Sequence, residues 1–477
     1  MVHKNLIVAL CLWFSVSSPA WAEPAPIDST VNDQKSIDLT IYNDNYALVR
    51  EVRRLNLPQG QQLVRMSDVP RHISAETIQV RSLSAPSELS ILEQNYTGQT
   101  LSAASLLDQY VGKKIKVLNW NQYQDRKETS EALLLSNEGE PIYQIGGEIY
   151  IGYPGFKILP ELPAGMLARP ALIWRLENKS KKPHDVEVIY LTSNLSWKAD
   201  YVLTLPEGSG AAQFGAWAAL TNTSGTFFKN AALRLMAGQV NRQAGMEYAP
   251  RAMMTRAAMA VNVAASQNFQ EQGMFEYHVY DLGRRVDLAN AETKQLPLFQ
   301  DRALKFAKEF RAEGAPLYYA ADETGEKQKL PVRVMIKFKN DKDSGLGIPL
   351  PQGAVRFYMR DAQGRPAFLG EDSLRHTPHG EEVRLQAGEV FDLTAERRQT
   401  DFRQVTSNTN ESEWEIRLRN SKKEDAVIKL VENLQGNWQM LSQSQNFEKI
   451  SASAIQFTVK VAQNSEVVVR YRVLTGF

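Results

Sequence analysis

The chain has 477 residues, 43% of them hydrophobic, with 55 Lys and Arg against 54 Asp and Glu and a formal net charge of +1. That balance excludes a field able to steer nucleic acid or anionic lipid. The length exceeds what a single core supports and suggests about three domains, while a lone cysteine, Cys11, rules out a disulfide framework.

The first element is a targeting segment. Lys4, the apolar run Leu6–Val16 and the small-x-small pattern Ala20-Trp21-Ala22 together read as a cleavable export signal, with cleavage after Ala22. Leu10 before Cys11 does not fit a lipoprotein site, and an anchor needs about 20 apolar residues, more than this serine- and Pro19-broken run supplies. Processing removes Lys4 and no acid, so the two signs become equal. It also removes Cys11, leaving no thiol for a cysteine nucleophile or a cross-link, and places the product in the periplasm or at the cell surface.

Residues 23–36 are Pro-rich and aperiodic, a flexible lead-in. Residues 37–110 form an N-terminal β domain, with alternation at Leu39–Tyr42 and a helix near Ser102–Tyr110 that serines cap and Gly112 closes. Glycines crowd residues 111–163, which suits hairpins and the bends of a small barrel-like module. Residues 164–243, with alternation at Val186–Tyr190, read as a first β-sandwich. Residues 244–273 form an Ala/Met-rich mobile insertion. Its Met246, Met253, Met254 and Met259, with Met274 close behind, lack the spacing and the histidine of a copper site.

Residues 274–404 are the β-rich middle of the C-terminal region and 405–477 a C-terminal β-sandwich. Val332, Val334, Ile336 and Phe338 alternate with polar or flexible residues, as do Trp414, Ile416 and Leu418, and the period recurs at Ile455–Val461 and Val467–Val473. The fold class is therefore mainly β: several antiparallel, immunoglobulin-like sandwiches, a small barrel-like module and few helices. A weak repeat supports sandwiches. Trp174-Arg-Leu-Glu-Asn178 and Ile416-Arg-Leu-Arg-Asn420 each end on an asparagine before a Lys-rich turn, then lead to a tryptophan, Trp197 or Trp438, suited to anchoring two facing sheets.

Catalytic constellations are sparse. His72, His184, His278, His376 and His379 form no HExxH pattern, and Pro378 puts the closest pair, His376 and His379, on a turn. No GxSxG elbow, P-loop or dinucleotide fingerprint occurs. Asp341, Asp343 and Gly345 resemble a calcium loop, but the glycine comes one position early and Gln352 stands where a bidentate glutamate is needed. The densest acidic group near a histidine is Glu371, Asp372, His376 and Glu381, with Glu382 beside it, and these are the candidates for hydrolysis of an envelope polymer. No cofactor or metal is assigned. Phe477 closes an alternating strand, as in outer-membrane barrels, though Thr475 on its outward face and the lack of aromatic girdles oppose that reading.

Longer runs bring a family into view: IYNDNYALVREVRRLNLPQG from Ile41, IYQIGGEIYIGYPG from Ile142, LTSNLSWKADYVL from Leu191, ALRLMAGQVN from Ala232, GLGIPLPQGAVRFY from Gly345 and FLGEDSLRHTPHGEEVRLQAGEVFDL from Phe368. Together they resemble exported bacterial proteins carrying domain of unknown function 4139. That domain also forms the C-terminal part of mucoidy-inhibitor-like proteins, so the resemblance implies a relation to the cell envelope or its polysaccharide, and no residue role. Where the family commonly has lysine after HTP, this chain has His379. The expectation is an exported binding or scaffolding protein with an envelope protein or polysaccharide as partner, no nucleic acid, and no transmembrane helix in the mature chain; the alternatives are the hydrolase and the outer-membrane barrel.

Overall fold

Alternation of apolar and polar side chains resolves, among the described residues, into 32 strands and one short α-helix, a mainly β architecture. The computed structural model describes residues 25–97, 101–121, 125–152, 155–163, 169–208, 210–238, 269–274, 277–314, 322–434 and 436–476. The export signal and Met246, Met253, Met254 and Met259 lie outside the described residues, as does the side chain of Met274. The chain divides into two units, one taking in residues up to Ser36 together with Glu51–Tyr190, the other Ile37–Arg50 together with Leu191–Phe477.

In the first unit, a four-stranded sheet runs in the order Ile27–Ser29, Gly60–Met66, Ala171–Asn178, Leu89–Thr97. The stretch expected to be a flexible lead-in is built into it. Ile27–Ser29 pairs in parallel with Val64–Met66, and Thr30 and Asp33 close a capping box on the following turn. Arg53 holds the strand in place: its Nε donates to Glu51 Oε1 at 2.7 Å, one Nη to Ser29 O at 3.0 Å and the other to Ser67 O at 3.0 Å. Both members of this ion pair are buried, and burial pushes the Glu51 carboxyl above its usual range while the Arg53 charge pulls it down. Ala171–Asn178, expected to open a sandwich at residue 164, instead pairs on both sides within this unit, and Trp174 lies buried beside Val64.

A second sheet of the same unit follows the helix Ala103–Asp108. Ser102 Oγ accepts from the Ser105 amide at 3.0 Å and Ser105 Oγ from the Ser102 amide at 2.9 Å, a reciprocal cap that starts the helix where serines predicted it. The sheet order is Glu148–Ile151, Ile142–Ile145, Arg126–Ser136, Lys114–Asn121, Phe156–Ile158. It is an open meander rather than the expected barrel, because its two outer strands each pair with one neighbour. The glycines serve turns instead of closure. Gly146 and Gly147, at φ 59° and 91°, form a two-residue hairpin turn that only residues tolerant of positive φ can make.

The second unit contains mixed as well as antiparallel sheets. Leu195–Leu205 pairs antiparallel with Ala212–Asn222 but parallel with Gly353–Arg360, and Ala307–Glu313 pairs parallel with Ala426–Asn433. Trp197 is buried as expected, its Nε1 donating to Met236 O at 3.1 Å. The C-terminal sandwich is larger than residues 405–477. A six-stranded sheet containing Val332–Lys339 and a five-stranded sheet containing Lys327–Leu330 and Leu393–Thr406 enclose one core, to which Ala312, Leu330, Val332, Leu393 and Ala395 contribute beside Ile416, Phe457 and Tyr471. Its buried tryptophan is Trp414, with the Arg397 guanidinium 3.9 Å above the ring. Trp438 is only half-buried, since it sits on the outermost strand, Asn437–Gln443.

Ser465–Gly476 lies between Thr409–Asn420 and Asn437–Gln443 in that open sheet, and Thr475, expected to face outward, is fully buried. Among the described residues no sheet closes into a barrel. The outward face of the sandwich carries Glu411, Glu413 and Glu415 low on one strand. Guanidinium groups of Arg398, Arg403, Arg417, Arg470 and Arg472 fold over them.

One device recurs in both units and extends the repeat read from Asn178 and Asn420. At the ends of four strands stands a buried asparagine: Asn178, Asn222, Asn340 or Asn420. Each directs its Nδ2 at one carbonyl of its own turn and at two successive carbonyls of a remote segment. For Asn178 these are Ser180 O, then Leu57 O and Pro58 O; for Asn222, Thr226 O, then Leu288 O and Ala289 O. For Asn340 they are Ile348 O, then Thr377 O and Pro378 O; for Asn420, Glu424 O, then Val461 O and Ala462 O, at 2.7–3.3 Å throughout. Each Oδ1 accepts a backbone amide of the turn, from Ser180, Ser224, Gly347 or Lys422. A strand that stops inside the protein leaves carbonyls that must find donors, and a side-chain amide supplies both donors and an acceptor at once.

Candidate functional site: an apolar sheet face

The four acid and histidine candidates take separate partners. Glu371 and Asp372 are neighbours on Pro366–Leu374 and so point to opposite faces. Glu371 is exposed and lies 3.4 Å from Arg356, which also pairs with the buried Asp200 at 3.2 Å. Asp372 accepts from the Gln386 amide at 2.7 Å. His376 Nδ1 accepts from the Gln352 amide at 3.2 Å, and burial, with the neighbouring His278, holds its pKa below the ordinary histidine value against the pull of Asp44. Glu381 is exposed, and its backbone carbonyl receives the Asn340 amide. Glu382 pairs with Lys337 and Arg384.

A hollow of about 260 Å³ lies nearby, lined by Val202, Thr204, Tyr358, Arg360 and Pro366, without any of these acids. His184 is fully buried between Ser82 Oγ, 2.8 Å from Nδ1, and Asn178 Oδ1, 2.9 Å from Nε2; since that oxygen only accepts, Nε2 donates to it. Among the described residues no three His, Cys, Asp or Glu side chains gather closely enough to hold a metal ion.

The feature that stands out is a face of the open five-stranded sheet. On its inner side Ile115, Val117, Ala132, Leu134 and Tyr143 are buried together with Tyr110. Strand register assigns the outer side. Ile149 lies beside Gln144 and Leu133, Ile151 beside Ile142, Phe156 beside Leu118, Ile158 beside Lys116, and Trp120 beside Lys127. The outer face of an antiparallel sheet ordinarily carries polar side chains. Here Ile149 and Ile151 are 66% and 71% exposed, Phe156 52%, and Ile158 and Trp120 more than a third.

Charge on this face is unequal. Lys114, Lys116 and Lys127 stand against Glu131, which pairs with Lys114 at 3.2 Å, while Lys127 lies 5.0 Å above the Trp120 ring. Ile149 and Ile151 stand on one outermost strand and Phe156 and Ile158 on the other, with Gln144, Glu131, Lys114 and Lys116 on the strands between them, and exposed apolar side chains grouped in this way mark an interaction surface. The signal was present in Ile149-Tyr150-Ile151, three successive apolar or aromatic residues, where a strand with one wet face should alternate with polar ones.

Residues 186–474 match the family model described as Domain of unknown function (DUF4139). The match begins after the five-stranded sheet and takes in Asn222, Asn340 and Asn420. No curated protein matches the chain.

Proposed function

This chain belongs to the DUF4139 family, and from that premise we propose that it is an exported binding protein whose open five-stranded sheet holds an apolar, acid-bearing surface of an envelope protein. The observation that carries the reading is the outward exposure of Ile149 and Ile151 at one edge of the sheet and of Phe156, Ile158 and the nearby Trp120 towards the other, with Lys114, Lys116 and Lys127 on the strands between. Burying each large apolar side chain contributes roughly 1.5–3 kcal/mol. Several together offset the entropy lost on association, and the lysines among them favour acidic groups on the partner. Export is supported by Lys4, Leu6–Val16 and Ala20-Trp21-Ala22, and a place in the cell envelope by the likeness to mucoidy-inhibitor-like proteins. No described helix is long and apolar enough to cross a membrane.

A photo-crosslinking amino acid placed at Phe156 in cells, with Gln363 as control position, tests the surface. One discrete adduct at Phe156, lost on Ile158→Asp, is the expected result; no adduct, or the same adduct from Gln363, refutes it. Sequencing the mature N-terminus tests export, with Glu23 expected and an intact Met1 on cytosolic protein against it.

A further inference from the structure

The same sheet ends in an edge that is built to pair. The Gly146-Gly147 turn makes Ile145 and Glu148 the closing pair of its hairpin, and the register continues as Ile149 with Gln144, Tyr150 with Tyr143 and Ile151 with Ile142. In an antiparallel ladder such pairs alternate between bonded and non-bonded. With Glu148 and Tyr150 bonded inward, the N–H and C=O of Ile149 and Ile151 point out along the free edge.

Other outer strands of the protein carry devices that discourage pairing. Lys327–Leu330 has two lysines, Phe447–Ser451 and Asn437–Gln443 are bulged, and Pro366–Leu374 begins with proline. Glu148–Ile151 has no lysine, proline or bulge, and all four residues are exposed.

We propose that a second copy of this chain is the occupant of this edge, added antiparallel about a two-fold axis through Tyr150. Ile149 then lies opposite Ile151 of the partner subunit, and Ile151 opposite the partner's Ile149. The outward groups of one edge meet the same groups of the other, two bonded pairs and so about four backbone hydrogen bonds. The isoleucines fall on the apolar outer face and extend it across the axis. Glu148 comes opposite Gly152 of the partner subunit, so no like charges meet. The strand is its own complement, which is the condition for a closed two-fold interface. The edge is used and the outer face stays open, so the dimer and the binding reading can fail separately.

The register makes a sharp test. At the axis, Tyr150 and the partner's Tyr150 form a non-bonded pair with Cα atoms about 4.5 Å apart, within disulfide range. Cys11 is the sole cysteine of the sequence, so protein prepared from Glu23 onward brings no competing thiol. Light scattering should give a dimer at about 100 μM that dissociates on dilution. Tyr150→Cys should form a disulfide-linked dimer on mild oxidation, and Gln363→Cys should not. Ile149→Lys with Ile151→Lys should be monomeric with an unchanged circular-dichroism spectrum. A monomer at every concentration with Tyr150→Cys unlinked overturns the proposal and leaves the edge to a foreign strand. A dimer that survives the two lysines overturns it as well.

Discussion

Replacing Asn420 tests whether the buried asparagines hold the strand ends. Its two N–H groups are shared among Glu424 O at 2.9 Å, Val461 O at 3.1 Å and Ala462 O at 3.1 Å, and its Oδ1 receives the Lys422 amide at 2.9 Å. Asn420→Ala deletes two donors and one acceptor. At about 1 kcal/mol net for each hydrogen bond, and about 1–3 kcal/mol for each buried group left unmet, the loss is about 3–6 kcal/mol. Asn420→Asp should be worse, because a carboxylate would face three carbonyl oxygens. Denaturant unfolding followed by tryptophan fluorescence gives the midpoints. Hydrogen exchange resolved by peptide locates the loss, expected at residues 421–425 and 459–464. The reasoning is refuted if the alanine variant loses less than about 1 kcal/mol, or if the aspartate variant is as stable as the alanine one.

Three further outcomes follow from the geometry. Arg53→Met should cost about 3–5 kcal/mol by stranding the buried Glu51 carboxyl and should free the amides of Ile27–Ser29 to exchange; adding Glu51→Leu should restore part of the loss, and a single variant as stable as the parent would contradict the role of Arg53. Because the His376 pKa is depressed in the fold, its share of stability is complete above the unfolded value near 6.5 and is lost as pH falls below it. His376→Asn should therefore flatten the melting temperature between about pH 6.5 and 5, and an unchanged slope would refute this. Hydrogen bonds from Arg472 and Arg403 hold the Glu411 carboxyl below its ordinary range, so that contribution is present above about pH 4.5 and lost on acidification. Glu411→Gln should be less sensitive to acid than the parent in melts at descending pH, and equal sensitivity would count against the pairing.

Much of the fold was legible in the period of the apolar residues. The alternation at Val332–Phe338 became the strand Val332–Lys339, and the serines before Leu106 started the helix Ala103–Asp108. Partner choice was not legible, because alternation names a residue's face but not the neighbouring strand; the parallel pairings and the split of residues 164–243 therefore escaped it. Trp438 was misplaced for the same reason, since an outer strand buries a tryptophan less than a central one does. The Asn178 and Asn420 repeat could be read because each precedes a turn with two adjacent lysines, Lys181-Lys182 and Lys422-Lys423. Asn222 and Asn340 could not, since their common partners are backbone carbonyls, which leave no residue signature. The acid cluster was dense in sequence yet disperses, as strand neighbours must. The apolar outer face needed the strand order before Ile149, Ile151, Phe156 and Trp120 could be placed on one side.

Under the export proposed above, the asparagine clasps bear on how the chain matures outside the cytoplasm. Asn178 reaches back to Leu57, Asn222 forward to Leu288, Asn340 to Thr377 and Asn420 to Val461, spans of the kind that extracellular proteins often staple with sulfur. A carboxamide needs no oxidant, no isomerase and no reshuffling of wrong partners: a mistaken grip simply lets go. Assembly would then be insensitive to the redox state of its surroundings, and reductants that unravel cystine-rich proteins should leave this protein untouched.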